Sequence, residues 1–473
     1  MNLDYLANIK PSRRQLDWQR MEMYAFMHFG MNTMTDREWG LGHEDPALFN
    51  PESLDCDQWM ETFKAAGMTG VILTCKHHDG FCLWPSAYTE HSVANSPWKG
   101  GKGDVVREVS QAARRHGLKF GVYLSPWDRT EAAYGQGKAY DDYYVNQLIE
   151  LLTHYGPIFS VWMDGANGEG PNGKTQAYDW RRYFDVIRAL QPEAVISICG
   201  PDVRWCGNEA GKARENEWSV VPASLRQAEW KMGKEEQTGR ANPDWRMRSE
   251  DEDLGSRSVL EQYGGPLVWY PAEVDTSIRP GWFHHVTEDD KVRTADELFD
   301  IWSTTVGGNA NLLLNVPPNA QGRISQPDVD SLTGLGRKIQ EFWEDTVTAG
   351  ARVTVSSNAG GDDPQALLSA DEGSGRWQAG EDDEAPTVTI DFDRPRRIDG
   401  LVLREYIEAG QRIEQIGVSA DVDGNIRQVA EVGAVGYQHF AHFDPIATNH
   451  MEVRVTRSRG PVALSTCLAC ECE

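Results

Sequence analysis

At 473 residues, with 40% hydrophobic and 25% charged residues, the chain can bury a large core and reads as two or three domains, or as one long α/β barrel with an appendage. Its 46 basic and 72 acidic residues leave a formal net charge of -26, which repels phosphate backbones and anionic membrane surfaces, so no nucleic acid or membrane partner is expected. No run approaches the ~18 consecutive apolar residues of a membrane span, and MNLDYLANIKPSRRQLDW at the N-terminus lacks the apolar stretch of a secretory signal, so the expected location is cytoplasmic.

Short β-rich runs then alternate with amphipathic helical patterns. Strands are expected at 23–30, 70–77, 119–125, 158–165, 194–200, 266–274 and 310–317. Helical spacing joins Trp59, Met60 and Phe63, then Val105, Val106, Val109 and Ala113, then Tyr144, Leu148, Leu151 and Leu152, then Trp180, Phe184, Ile187 and Leu190. Gly67, Gly117 and Gly156 stand where left-handed caps would stop helices, and Thr294 with Glu297 has the spacing of a capping box. Strands apolar on both faces and separated by helices mean a covered parallel sheet. Polar and aromatic residues end nearly every strand, which favours an α/β fold closed into a (β/α)8-like (TIM-type) barrel over an open sheet with one switch point.

The barrel is assigned residues 1–350, with 201–265 as its weak stretch, long, polar and irregular. From about Ala351, alternating strands and turns with an Asp423-Gly424 hairpin signal predict an antiparallel β-sandwich over 351–473. Eight scattered cysteines fit free thiols better than a disulfide framework. Cys467, Cys470 and Cys472 of CLACEC read as a partly buried tail rather than a metal or redox cluster, because no second ligand group stands near them.

The strand ends carry His28; then Lys76, His77, His78 and Asp79; then Tyr123 and Trp127; then Trp162 and Asp164; then Asp202, with Glu38 and Trp39 in the first loop. Singly, a strand-end histidine is more often structural and an aspartate there often caps the next helix. Together, imidazoles, carboxylates and indoles from four consecutive strand ends make a polar pocket with aromatic walls, suited to a carbohydrate. The rival is a metal-dependent hydrolase. Adjacent His77 and His78 would face opposite sides of a regular strand and could not share one ion, so neither metal nor cofactor is expected.

The segments MHFGMNT, EWG, LTCKHHDGFCLWPS, GVYLSPWDR and VWMDGANGEG resemble, in order and spacing, the motifs of the α-L-fucosidases of glycoside hydrolase family 29. That resemblance implies a retaining mechanism on a terminal α-linked fucose with Asp164 as nucleophile, the glycines from Gly165 onward leaving room for the sugar. Such a mechanism needs a second carboxyl group that protonates the departing oxygen. VRWCGNEAGKARENEWS resembles the acid/base segment of the branch acting on α-1,3 and α-1,4 fucose, which implies Glu209 in that role, with Glu215, Glu217 and Glu273 as contenders. The resemblance further implies that His28, His77, His78 and Tyr123 hydrogen-bond the fucose while Trp39, Trp84 and Trp162 pack around it. Glu38, Trp127, Arg279 and Trp282 complete the expected substrate site.

The implied partner is a fucosylated, Lewis-type or milk oligosaccharide; nothing in the chain sets an oligomeric state. The competing reading is a non-catalytic fucose-binding protein, against which both carboxylates speak. The C-terminal domain, through LREYIEAGQRIEQIGVSADVDG, looks like a discoidin-type domain. With Trp377 and Tyr406 as its only evident aromatic candidates for a glycan platform, a packing role is favoured.

Overall fold

The computed structural model describes residues 3–226 and 247–472, so part of the irregular 201–265 stretch lies outside the described residues. Ten strands precede the sandwich: β1 (Met23–Met27), β2 (Gly70–Lys76), β3 (Lys119–Leu124), β4 (Ser160–Met163), β5 (Val195–Ile198), β6 (Arg204–Trp205), β7 (Val220–Pro222), β8 (Leu267–Trp269), β9 (Ala272–Ser277) and β10 (Ala310–Asn315). Eight of them form one sheet in the order β5-β4-β3-β2-β1-β10-β9-β6, every neighbouring pair parallel. A parallel bridge between Ser197 and Val203 brings its two edges together, so the sheet is a nearly closed barrel.

The helices between strands follow the apolar spacing: Cys56–Ala65, Val105–Arg115, Lys138–His154, Trp180–Leu190, Ala295–Thr305 and Gln326–Glu344. Asp55, Asp104, Asp179 and Thr294 accept backbone N–H bonds at four of their N-termini, and Thr294 and Glu297 form the reciprocal capping box. Gly67, Gly117 and Gly156 have φ of 83°, 73° and 84°, the left-handed backbone that lets the chain leave a helix and enter the next strand.

One strand expectation is corrected, and one barrel strand was not among those expected. The run 266–274 is not one strand: it breaks before Pro271, β8 pairing antiparallel with β7 outside the barrel while β9 alone joins the wall. Proline has no N–H to give a ladder. The eighth barrel strand is the two-residue β6, too short to show an alternation in the sequence.

The sandwich is built on β11 (Thr346–Val347), β12 (Ala351–Val355), β13 (Trp377–Gln378), β14 (Thr387–Glu405), β15 (Ile413–Val422), β16 (Asn425–Val432), β17 (His439–Ser458) and β18 (Ala463–Glu471). Asp423 and Gly424, both at positive φ, make the two-residue turn between β15 and β16. CLACEC, expected as a partly buried tail, is ordered into the sandwich, with Cys472 just past the last strand. It is the end of β18, paired with β14, and Cys467 and Cys470 are buried, their thiols pushed up to about 12 by burial.

Trp377 is buried with its indole N–H donating to the Ser357 carbonyl, and Tyr406 lies under the Arg376 guanidinium, 4.5 Å away, so neither presents an open platform. The sandwich docks on the barrel through Arg404 to Glu22 (2.9 Å) and through Asn309 to Gln438 and Tyr437 (2.9 and 2.7 Å). Glu22 and Asn309 directly precede β1 and β10, so this seam lies at the N-terminal ends of the strands, opposite the end where the polar strand-end residues gather.

Candidate active site

Alternation with a period of two builds the pocket. On β1, Tyr24 and Phe26 point into the barrel, and the same face continues to His28 just past its end; on β4, Trp162 points in and Asp164 follows. Tyr24, Phe26, Tyr123 and Trp162 belong to one buried cluster, with Phe26 4.9 Å from Trp162 and Tyr123 5.3 Å from it, ring centre to ring centre. This aromatic plug fills the barrel and leaves the next layer of polar side chains at its mouth.

Asp164 Oδ2 accepts from the Tyr123 hydroxyl at 3.0 Å, and Oδ1 from the Ala166 backbone N–H at 2.7 Å. His78 Nε2 stands 3.7 Å from Oδ2. The carboxylate is 24% exposed, enough to meet a ligand while its orientation stays fixed.

β2 ends at Lys76, after an irregular register with β3, and the chain has turned by the time it reaches His77 and His78. Their rings lie side by side with centroids 4.1 Å apart, and His28 is 5.5 Å from His77. Burial holds the imidazoles of His28, His77 and His78 below the usual histidine range, His28 at about 4. Trp282 lies 5.1 Å from His28, and Trp127 lies 4.8 Å from His78 with the exposed Trp39 edge-on to it at 5.6 Å.

Glu209 lies in the loop after β6, on the exposed rim. Gly207, at φ 103°, passes so close to the Ser249 carbonyl that a Cβ would sit 2.2 Å from it, and Thr276 on β9 donates to the Glu209 carbonyl at 2.8 Å. Desolvation and then the nearby Asp164 charge raise the Glu209 carboxyl pKa, against a hydrogen bond from the Trp282 side chain. Beneath it the buried Asp275 accepts from the Trp205 indole at 2.8 Å, its own pKa raised by burial and by Glu209 and Glu273.

The other expected residues serve the pocket differently, or not at all. Glu38 binds the backbone N–H groups of Trp282 and Phe283 (2.8 and 3.0 Å) and His285 (2.9 Å), tying the first loop to the one after β9. Burial opposes protonation of His285, but its bonds to Asp36 and Glu38 prevail and raise its pKa. Arg279 is not available to a glycan: its side chain is fully buried, bonded to Asp328 and Asp289, and anchors the loop that carries Trp282. Trp84 is not in the pocket either; it is buried in the outer core and donates to Glu150 at 2.8 Å.

Lys76 pairs with Asp128 in the buried outer layer (2.8 Å), and Asp202 with Arg188. Among the contenders, Glu217 is buried between Arg204 and Arg214 and Glu215 is exposed. Glu273 sits inside the barrel plug, accepting from Tyr24 and from the Trp162 indole (2.7 Å), with burial raising its pKa to about 7. The glycines after Asp164 make room for protein: a Cβ at Gly168 would lie 2.1 Å from Trp127, and one at Gly165 3.0 Å from Cys199 Sγ.

Sequence reasoning passed over Asn32, Ser125, Asn315 and Phe283, of which Asn315 had a signal, since it too ends an apolar strand on a polar side chain. Among the described residues no three His, Cys, Asp or Glu side chains converge as a metal site would require, and no helix is long and apolar enough to cross a membrane. The pocket offers a fixed carboxylate, a second carboxyl whose pKa is raised partly by the charge of the first, three imidazoles whose pKa values burial lowers, and indole walls. This is what glycosyl transfer with acid assistance uses.

A family model for α-L-fucosidase matches residues 10–342, and one for the F5/8 type C domain matches residues 352–468. The chain is 42% identical over 409 residues to α-L-fucosidase 1 of Arabidopsis thaliana, a match spanning 85% of this chain and 75% of that protein. The structure of a glycoside hydrolase 29 family member from an unknown rumen bacterium matches with TM-score 0.80 at 37% identity, over 98% of this chain and 78% of that one. A Ruminococcus gnavus GH29 fucosidase in complex with fucose matches with TM-score 0.84 at 28% identity, over 98% and 95% of the two chains. The chain belongs to the glycoside hydrolase family 29 α-L-fucosidases.

Proposed function

We propose that this α-L-fucosidase is a retaining exo-enzyme in which Asp164 is the nucleophile and Glu209 the acid/base. The observation that carries the reading is the unequal pair: Asp164 is held by Tyr123 and the Ala166 N–H, while Glu209 keeps its proton to higher pH through desolvation and the charge of Asp164. In the first step an Asp164 oxygen bonds to the anomeric carbon, the bond to the departing oxygen breaks, and Glu209 transfers its proton to that oxygen. In the second, Glu209 takes a proton from water as the water oxygen attacks the same carbon, and the ester to Asp164 breaks to release fucose with its original configuration.

The neutral imidazoles, Tyr123, Trp39, Trp127, Trp162 and Trp282 form the sugar-binding wall in this reading, and each buried hydrogen bond to a hydroxyl contributes ~1–3 kcal/mol. Trp84 and Arg279 are left out of that set. Trp84→Phe is expected to lower unfolding free energy by about 1–2 kcal/mol, with kcat/KM changed less than about twofold; urea unfolding beside steady-state kinetics separates the two.

For linkage we favour α-1,3 and α-1,4 fucose on branched, Lewis-type and milk oligosaccharides, on the strength of the sequence around Glu209. Time-resolved proton NMR with a Lewis a-type trisaccharide and, separately, a 2'-fucosylated lactose tests both parts. α-Fucose appearing first, from the branched sugar, is the expected result. First-formed β-fucose would overturn double displacement, and faster release from the linear sugar would overturn the linkage preference.

A further inference from the structure

Each pocket imidazole turns one nitrogen onto a group whose chemistry or other hydrogen bonds leave it one part to play. Asn315 Nδ2 donates to the Trp282 carbonyl and to Ser277 Oγ, both at 2.8 Å, which leaves its Oδ1 facing His28 Nδ1 at 2.8 Å. The same oxygen also accepts from the His28 backbone N–H at 3.3 Å. An amide oxygen only accepts, so neutral His28 carries its proton on Nδ1 and its Nε2 is a bare lone pair.

His77 is the reverse case. Asn32 Nδ2 donates to the Glu38 carbonyl at 3.0 Å and faces His77 Nδ1 at 3.2 Å. An amide nitrogen only donates, so His77 Nδ1 is bare and the proton sits on Nε2. At His78, Ser125 gives its hydroxyl proton to the Trp127 carbonyl at 2.6 Å and therefore accepts from His78 Nδ1 at 2.7 Å. Neutral His78 then turns a bare Nε2 toward Asp164 Oδ2, two lone pairs 3.7 Å apart.

Among the described residues, neither Nε2 of His28 nor Nε2 of His77 has a protein partner, and neither is among the side-chain atoms sealed from solvent without one. Both therefore open onto the pocket. A sugar hydroxyl can donate once and accept as well, so an array of fixed acceptors and donors selects among hydroxyl orientations as no freely tautomerising imidazole would.

We propose that Asn315, Asn32 and Ser125 are positioning residues that lock the three imidazoles in alternating tautomers, so that the pocket presents an acceptor at His28, a donor at His77 and an acceptor at His78 to neighbouring hydroxyl groups of the bound sugar. A hydroxyl proton placed at His78 also relieves the lone-pair contact with Asp164. The hydroxyl half of the proposal rests on the pocket being the fucose site; the tautomers do not.

The test is two-bond proton–nitrogen correlation NMR of the ligand-free protein labelled with 15N-histidine, the three rings assigned through His28→Gln, His77→Gln and His78→Gln. The expected result is a protonated Nδ1 in His28 and His78 and a protonated Nε2 in His77. One common tautomer in all three rings would overturn the proposal. Asn32→Asp, whose carboxylate demands a donor, should move the His77 proton to Nδ1 and lower kcat/KM by about tenfold or more. A proton that stays on Nε2, or a moved proton with unchanged kcat/KM, would overturn the role of Asn32. Should that variant fail to fold, Ser125→Ala is expected to let His78 populate the Nε2–H form, and a ring that remains wholly Nδ1–H would overturn the role of Ser125. Tautomers as stated in a protein that turns over no fucoside would support the positioning roles while overturning the catalytic reading.

Discussion

Asp164→Ala is expected to lower kcat/KM on an aryl α-L-fucoside by at least about 10^4-fold, because the proposed double displacement needs that carboxylate to form its covalent intermediate. Tyr123 would lose its acceptor, but the aromatic plug beneath it, Phe26 against Trp162 and Trp162 against Tyr123, does not depend on Asp164. The fold should survive, and circular dichroism checks that it does. The space left by the carboxylate admits a small anion. Azide added to the variant should therefore restore turnover of a fucoside with a good leaving group and yield β-L-fucosyl azide, since it attacks from the face Asp164 occupied. Near-wild-type turnover in the alanine variant, or an α-configured azide product, would sink the assignment.

Glu209→Ala should behave differently with different leaving groups. An oligosaccharide leaves as a poor alkoxide and needs the proton, so its hydrolysis should fall by about 10^2–10^4-fold; cleavage of an aryl fucoside with an acidic phenol should fall far less. The pH profile gives the second readout. Glu209 must be protonated to act, and its pKa is raised first by desolvation and then by Asp164, so activity holds to higher pH than for an ordinary carboxyl and falls as pH rises through that pKa. In Glu209→Ala this alkaline limb should vanish. In Asp164→Asn, assayed by binding of a fucose analogue, it should shift to lower pH because the neighbouring charge is gone. A Glu209→Ala enzyme that keeps the wild-type limb would transfer the acid role elsewhere, and the buried Asp275 beneath Glu209 would be the first place to look.

The barrel was legible because its signals are local. Helix stops at Gly67, Gly117 and Gly156, the Thr294 and Glu297 capping box and the Asp423-Gly424 turn each follow from a few consecutive residues, and each appears in the structure. The short β6 and the break before Pro271 were not legible, because two residues carry no period and because 266–269 is as apolar as a barrel strand. The strand pairing of β18 was hidden for the same reason: CLACEC alternates too little to reveal that Cys467 and Cys470 are both covered.

Within the pocket the same division holds. Strands that end on His28, Asp164 and Asn315 place those side chains on the inner face through the strand period alone, so their approach to one another follows from chain order and parallel pairing. Whether a residue at such a position meets ligand or protein is another matter. Trp84 stands in a segment similar to a substrate-binding one and Arg279 follows a barrel strand end, yet Glu150 claims the first and Asp328 and Asp289 the second.

By itself, then, the sequence determined the barrel and sandwich, the inward face of each long strand and the carboxylate at the end of β4, since short-range periodicity and turn chemistry dictate these. Only the tertiary structure decided the environment that raises the Glu209 pKa, which side chains face the ring nitrogens of His28, His77 and His78, and which arginine and indole are spent on internal bonds. Those properties come from desolvation and from single hydrogen-bond partners up to 287 residues away, and no local pattern encodes which distant group will arrive.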